Sequence, residues 1–364
     1  MHGPCPDQLA HAPARCNHSR PQAQPAAPQS GGAQRPRSAH AHDRSRRSGA
    51  PVLAQDLVLL SAGELRVVLA PSAGGSIASF TREWQEGRRR RELHWMRPAT
   101  ASGLVARNPL AMASFPLVPF CNRIRDGRAT FEGREIRVPP NHPGEDAPHP
   151  LHGIGWLCEW QVRSASATEA ELALAVEASE ACPWRFACTQ RFRLDEGALA
   201  VEMTITNEDT AAMPAGIGHH PYFPHHPGTV LTSPAEAMWV GDAEVMPVRL
   251  ETTGAVQRLR EGVRLSELDL DNNFTGWSRT TRIDWPADLH GPARGLTMHA
   301  DAPLDYFVLY CPAGYDAFCA EPVSQCTDWL NLLPQYGPGP LGGARVEPGQ
   351  TLTARFRLEP HWPA

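Results

Sequence analysis

The chain has 364 residues, a formal net charge of −5 and 34 basic side chains, all of them arginine. The absence of lysine removes Schiff-base chemistry on a side-chain amine and a Walker-type phosphate lysine. From residue 51 onward 27 arginines face 37 acids, a balance that argues against nucleic acid as a main partner, and no apolar window of about 18 residues predicts a membrane-spanning helix.

Residues 1–50 carry seven prolines, seven arginines and five histidines. A segment so poor in apolar surface cannot offset its ordering entropy, so a disordered Pro/Arg/His-rich N-terminal extension is predicted. No apolar core follows Met1, and a secretory signal is not expected. Residues 51–364 suffice for one large β domain. The nine cysteines form no CxxC pair. Most sit among apolar neighbours as buried thiols do, which favours a reducing compartment, the cytoplasm.

From Asp56 the sequence breaks into short strand-like pieces. Leu65 to Leu69 is the first, and Ala129 to Val138 reads as two strands about the Glu132-Gly133 turn. Trp160 to Ser164, Ala170 to Val176 and Phe186 to Leu194 follow. In Ala198 to Thr206, Leu199, Val201, Met203 and Ile205 alternate with small or polar residues, the period of a half-buried strand. Asp195-Glu196-Gly197 supplies a hairpin connection. Gly295 to His299, Tyr306 to Tyr310, Ala317 to Glu321 and Thr351 to Leu358 complete the set. No 3.6-residue stripe lasts three turns, although Pro234 to Trp239 is read as a single helical turn. The alternation predicts an all-β chain of packed antiparallel sheets. Long irregular stretches at Pro98 to Asn122, Pro139 to Trp156, His220 to Val240 and Asp269 to Ala287 are expected to wall a binding site.

Five places carry chemistry. Glu321 ends an apolar strand against Pro322, and such a carboxylate needs hydrogen bonds or charge partners. It reads either as a general base or as half of a structural ion pair. In His219-His220-Pro221-Tyr222-Phe223 the adjacent histidines point to opposite faces of an extended chain. His220 is the candidate acid, and His219 is expected to face outward; both also fit ordinary strand-end polar residues. Asn122 and Arg123 follow the stiff apolar run Phe115 to Cys121 and offer an amide and a five-donor fork, suited to hydroxyls or to locking a loop. Leu151-His152-Gly153-Ile154-Gly155-Trp156 offers a polar donor in His152 and a flat wall in Trp156, or a turn histidine beside a core tryptophan. Asp271 stands in a turn-like Asp-Asn-Asn run. No HExxH occurs, adjacent imidazoles diverge, and no spaced calcium pattern follows Asp271, so no metal site is expected.

In order and approximate spacing these segments resemble the aldose 1-epimerase family, the galactose mutarotases. The resemblance rests on Asn122-Arg123, His152 in an His-Gly loop, His220 before Pro-Tyr-Phe, Asp271 in D-x-x-F, and Glu321, and it spans about residues 56 to 358. Each motif alone is weak; five in order are specific. The resemblance implies a large antiparallel β-sandwich of the galactose mutarotase type. It also implies a monosaccharide substrate and no cofactor, and leaves monomer and dimer both open. Glu321 would remove the anomeric proton while His220 protonates the ring oxygen, and Asn122, Arg123, His152 and Asp271 would hold hydroxyls, with Trp156 against the sugar's apolar face. The Gly-Ile-Gly-Trp that follows His152 and the lack of a glutamine near Met298 depart from the pattern and leave the preferred sugar open. Two alternatives stand beside this: a mutarotase for a sugar phosphate or other modified sugar, using Arg97, Arg107 or Arg125, and a non-catalytic carbohydrate-binding protein.

Overall fold

Strict alternation in Leu199–Asn207 becomes a strand whose Leu199, Val201, Met203 and Ile205 are buried while the residues between them are partly exposed. Each such aliphatic side chain contributes about 1.5–3 kcal/mol on leaving water. This strand lies near the middle of a nine-stranded sheet in a computed structural model that describes residues 57–143, 147–289 and 291–362. The extension expected at residues 1–50 lies outside the described residues.

The nine-stranded sheet runs in the order Val263–Arg264, Val230–Thr232, Thr280–Trp285, Arg294–Ala300, Thr351–His361, Leu199–Asn207, Phe186–Leu194, Glu169–Val176 and Gln161–Ala165. A second sheet of eight strands runs Pro247–Glu251, Ala237–Gly241, Leu270–Thr275, Tyr306–Cys311, Ala317–Val323, Gly218–His219 and Pro116–Leu117, with Tyr222–Pro224 also paired to Ala317–Val323. The strands pair antiparallel throughout, with a four-stranded sheet over Val58–His94 beside the two large ones. His219 of the eight-stranded sheet meets Phe356 of the nine-stranded sheet at 5.4 Å between ring centroids, so inward side chains of the two layers share one core. The fold is an antiparallel β-sandwich, as the alternation along the chain predicts.

Several stretches read as irregular are strands. Ala237–Gly241, expected as part of a helical turn, is a strand paired to Phe274 and Thr275 on one side and to Pro247–Glu251 on the other. Its Met238 and Trp239 are buried by that sheet, and burial overrides the local turn signals. Asp271 likewise sits in the strand Leu270–Thr275, opposite Tyr310, and not in a turn. Ser76–Glu86 and the arginine-rich Arg89–His94 are a further pair of strands. The second is an exposed edge whose arginines reach Glu83 and Glu86, charge that blunts edge-to-edge pairing.

Three α-helices occur among the described residues, Ala101–Ala106, Gly254–Glu261 and Trp329–Tyr336, each about two turns long. No helix among the described residues is long and apolar enough to cross a membrane. Cys121, Cys182, Cys188, Cys311, Cys319 and Cys326 are free and buried, as their apolar neighbours suggest. The eight-stranded sheet matters most for function, because Glu321 and the histidine segment meet on its adjacent strands.

Candidate active site

Glu321 lies in Ala317–Val323, opposite Val308, with neighbouring strands on both sides. Its carboxylate is 2% exposed, and Oε1 stands 3.3 Å from Nε2 of His220. The candidate base and the candidate acid therefore touch. Among the described residues, Oε2 of Glu321 and Nδ1 of His220, both buried, have no hydrogen-bond partner. Buried polar atoms without a partner are uncommon and mark this pair as a candidate functional position.

Burial pushes the Glu321 carboxyl well above its ordinary range, the Asp271 charge pushes the same way, and Arg123 opposes both. Burial pushes His220 down to about 3, with Arg97 and Arg123 adding to the effect. Each group thus favours its uncharged form. Burial opposes charge on both members of the pair.

His220 is oriented by rings on several sides. Phe115 stacks on it at 4.6 Å, Tyr222 lies at 4.8 Å, and His152 meets it edge-on at 5.1 Å. Its backbone N–H donates to the Phe115 carbonyl at 2.9 Å, which fixes the chain where Pro221 has already restricted it.

His152 and Asn122 form a reciprocal clasp. The Asn122 N–H donates to Nδ1 of His152 at 3.0 Å, and the His152 N–H donates to the Asn122 carbonyl at 2.8 Å. Both residues adopt positive φ, +56° and +58°, an αL geometry costly for side chains other than glycine or asparagine and found where function demands it. Because Nδ1 accepts, the neutral His152 carries its proton on Nε2. Burial first, then the neighbouring His220 and Arg123, hold it well below the ordinary histidine range. His152 is therefore a neutral donor and not an acid.

Arg123 bridges the remaining parts. Its Nη1 donates to Oδ1 of Asn122 at 3.2 Å and its Nη2 lies 3.7 Å from Oδ2 of Asp271. The Asp271 carboxyl is raised by burial and lowered by that arginine. Asp328, at the start of the helix Trp329–Tyr336, braces the segment by donating its N–H to the Arg123 carbonyl and accepting from the Arg125 N–H, both at 2.9 Å. Asn122, Arg123, His152, His220, Asp271 and Glu321, spread over 200 residues of chain, are thus brought into one constellation.

Trp156 is the exception. It is fully buried, stacked on Phe115 at 5.1 Å and edge-on to His152 at 5.8 Å, while its indole N–H reaches the carbonyls of Leu151 and Gly153, each at 3.1 Å. The expectation that it packs against a sugar is corrected: it stands behind the two rings and props them. His219 is corrected too, since it points away from His220 but into the core, with no exposure.

Two positioning residues escape a reading of the sequence. Asn141 donates to the carbonyls of Leu151 and Gly153 and accepts from the Leu151 N–H, holding the loop that presents His152. Asp328 braces the Arg123 segment across 200 residues. Asn141 precedes His142-Pro143, a turn signal that says nothing of a partner ten residues on. Among the described residues, no group of three or more His, Cys, Asp and Glu side chains is placed to hold a metal ion; His225 meets the Tyr315 carbonyl and His226 meets Asp288.

A model of the family described as aldose 1-epimerase matches residues 56–359. The chain belongs to the aldose 1-epimerase family. The uncharacterized protein YphB of Escherichia coli is 30% identical over 318 residues, covering 83% of this chain and 98% of that protein. Among solved structures, a putative aldose 1-epimerase of Escherichia coli superposes with a TM-score of 0.72 at 28% identity, covering 84% of this chain and 99% of the other. A galactose 1-epimerase from Lactobacillus acidophilus reaches a TM-score of 0.65 at 16% identity, covering 87% and 97%, and shows the shared fold. General aldose 1-epimerase activity, an isomerisation at the anomeric carbon of a monosaccharide, follows from membership.

Proposed function

We propose that this chain interconverts the α and β anomers of a free aldose, with Glu321 and His220 moving the protons. The observation that carries the reading is the buried Glu321–His220 contact of 3.3 Å, with Oε2 and Nδ1 buried and unpaired beside it and candidate hydroxyl-binding groups around it.

In the reactive form a proton sits on His220 and the charge on Glu321; Arg123 stabilises the carboxylate and opposes the imidazolium. Glu321 takes the proton of the anomeric hydroxyl as His220 protonates the ring oxygen, and the C1–O5 bond breaks to leave the open-chain aldehyde. Rotation about C1–C2 presents the other face of the carbonyl. Reversed transfers then close the opposite anomer and return the pair to its starting state. Proton count is conserved at each step. His152, as a neutral Nε2–H donor, is suited to polarise an oxygen of the ring without competing as an acid, and Asn122, Arg123 and Asp271 supply donors and acceptors for further hydroxyls.

The three arginines considered for an anionic substituent are engaged elsewhere, which favours an uncharged sugar. Arg107 pairs with Glu159 at 3.3 Å, and Arg125 with Asp242 at 2.8 Å and Glu244 at 3.4 Å. Arg97 lies over the Tyr222 ring at 3.7 Å and gives its N–H groups to the carbonyls of Leu110 and Met112 and to the Tyr315 hydroxyl.

The test is polarimetry on freshly dissolved α-anomers of galactose, glucose, arabinose and fucose, and on the corresponding phosphates, with no metal or nucleotide added. The expected result is accelerated approach to equilibrium rotation for at least one free aldose. Acceleration with phosphates alone would replace the free-sugar reading. Acceleration with none of them would overturn it.

A further inference from the structure

The residue before the candidate acid carries a second, wholly buried polar chain that the proton-transfer scheme does not use. His219 has no exposure, and its side chain leaves the opposite face of the strand from His220. Its Nδ1 is hydrogen-bonded to the Ser114 hydroxyl, and its Nε2 lies 3.3 Å from Oε1 of Gln190. The Gln190 amide nitrogen donates in turn to the Gly75 carbonyl at 3.0 Å. That last bond settles the direction of the others. Gln190 must present its oxygen to His219, so Nε2 of His219 carries the proton and Nδ1 accepts from Ser114.

The chain runs from the histidine strand across the core to the nine-stranded sheet. Gly75 ends it, at φ +64°, and a Cβ there would stand 2.6 Å from the Gln190 amide nitrogen, so the close approach depends on glycine. Ser114 and Gln190 are as fully buried as His219. Burial first, and the neighbouring His220 second, push His219 down to about 3.

Its placement beside the site is what gives it a function. Ser114 is adjacent to Phe115, the ring stacked on His220, and His219 is adjacent to His220 itself. The two segments are therefore clipped twice, by the His220 N–H on the Phe115 carbonyl at 2.9 Å and by the Ser114–His219 hydrogen bond. Gln190 anchors the pair to the opposite sheet, which stops the clip from sliding as a unit. An apolar residue at 219 would fill the same space but leave the Ser114 hydroxyl and the Gln190 amide without their partner.

We infer that His219 is a positioning residue for the reaction proposed above, acting with Ser114 and Gln190 to hold the Phe115–His220 stack at the angle that aims Nε2 of His220 at Glu321. The inference rests on that functional reading for its kinetic arm only.

The experiment compares Ser114→Ala, Gln190→Leu and His219→Phe with the core control Leu259→Ala, a fully buried position on the helix Gly254–Glu261. Each of the three is expected to lower kcat ten- to a hundredfold with KM changed less than threefold. The Ser114→Ala/His219→Phe double variant should lose no more than the worse single variant. Leu259→Ala, at equal or greater loss of Tm, should keep kcat within twofold. Imidazole nitrogen NMR supplies a readout independent of activity, in which the His220 signals shift in the three variants and stay in the control. Wild-type kcat in folded variants, or a loss of kcat in Leu259→Ala that scales with Tm, would overturn the inference. If the wild-type protein turns over no sugar, the functional reading fails, and unshifted His220 signals would then sink the positioning role by themselves.

Discussion

Glu321→Gln separates the chemistry of the site from its folding, because glutamine keeps the shape and the oxygen facing His220 while removing the base. General acid–base catalysis by a positioned group contributes about 10²–10⁴-fold, or roughly 3–5 kcal/mol of barrier. The variant should therefore lose at least a hundredfold in kcat on the best sugar of the panel. Stability should move the other way. Burial raises the folded-state pKa of Glu321, so its contribution is complete below the unfolded value of 4.5 and is lost as pH rises toward the folded value. Over that interval the wild-type protein loses about 1.4 kcal/mol per pH unit relative to a side chain that does not titrate. Glu321→Gln should thus gain on the wild-type protein between pH 5 and pH 7. The assays are polarimetry, corrected for spontaneous mutarotation, and urea unfolding at the two pH values. A variant with more than a tenth of wild-type kcat would refute the role of base, and a stability difference independent of pH would refute the buried, proton-holding carboxyl.

The remaining expectations concern the supports of the site. Trp156→Phe removes the indole N–H shared by two carbonyls and some core volume, and it should cost about 1–3 kcal/mol in denaturant unfolding with KM within threefold; a large rise in KM at unchanged stability would restore a sugar-facing tryptophan. Asn141→Ala deletes three hydrogen bonds to the loop that presents His152, and it should cost about 1–3 kcal/mol and raise KM, whereas an unchanged KM would show that the loop holds its shape without the clasp. On the acid side, the depressed pKa of His219 means stability complete above its unfolded value near 6.5 and lost as pH falls toward about 3. His219 should account for about 2 kcal/mol lost between pH 7 and pH 5, with His152 and His220 acting in the same direction and the raised Glu321 acting against them. His219→Gln should flatten the pH dependence by that amount, and an unchanged slope in urea titrations would contradict a neutral buried imidazole.

Strands and sheet class were legible along the chain wherever one face is buried and the other wet, because the period of two is then written in the side chains, as in Leu199–Asn207. It failed where both faces are covered or the edge is charged. Ala237–Gly241 and Leu270–Thr275 lack a clean alternation, and in Arg89–His94 only Leu93 is buried. The residue types at the site were legible for a different reason. A carboxylate, an imidazole, an amide and a guanidinium at unusual places in apolar or proline-stiffened segments stand out by their cost of burial.

What the chain determined by itself, then, is the β class, the inventory of proton-moving and hydroxyl-binding groups, and the order in which they occur. Only the tertiary structure decided their distances and directions. It put Nε2 of His220 on Glu321, turned His219 into the core toward Gln190, and set Trp156 behind Phe115 instead of before a sugar. The physical reason is that alternation along a strand states which residues share a face but not what that face meets. A one-residue step separates His220 from His219, and Glu321 and Gln190, the partners they meet, lie in different layers of the sandwich.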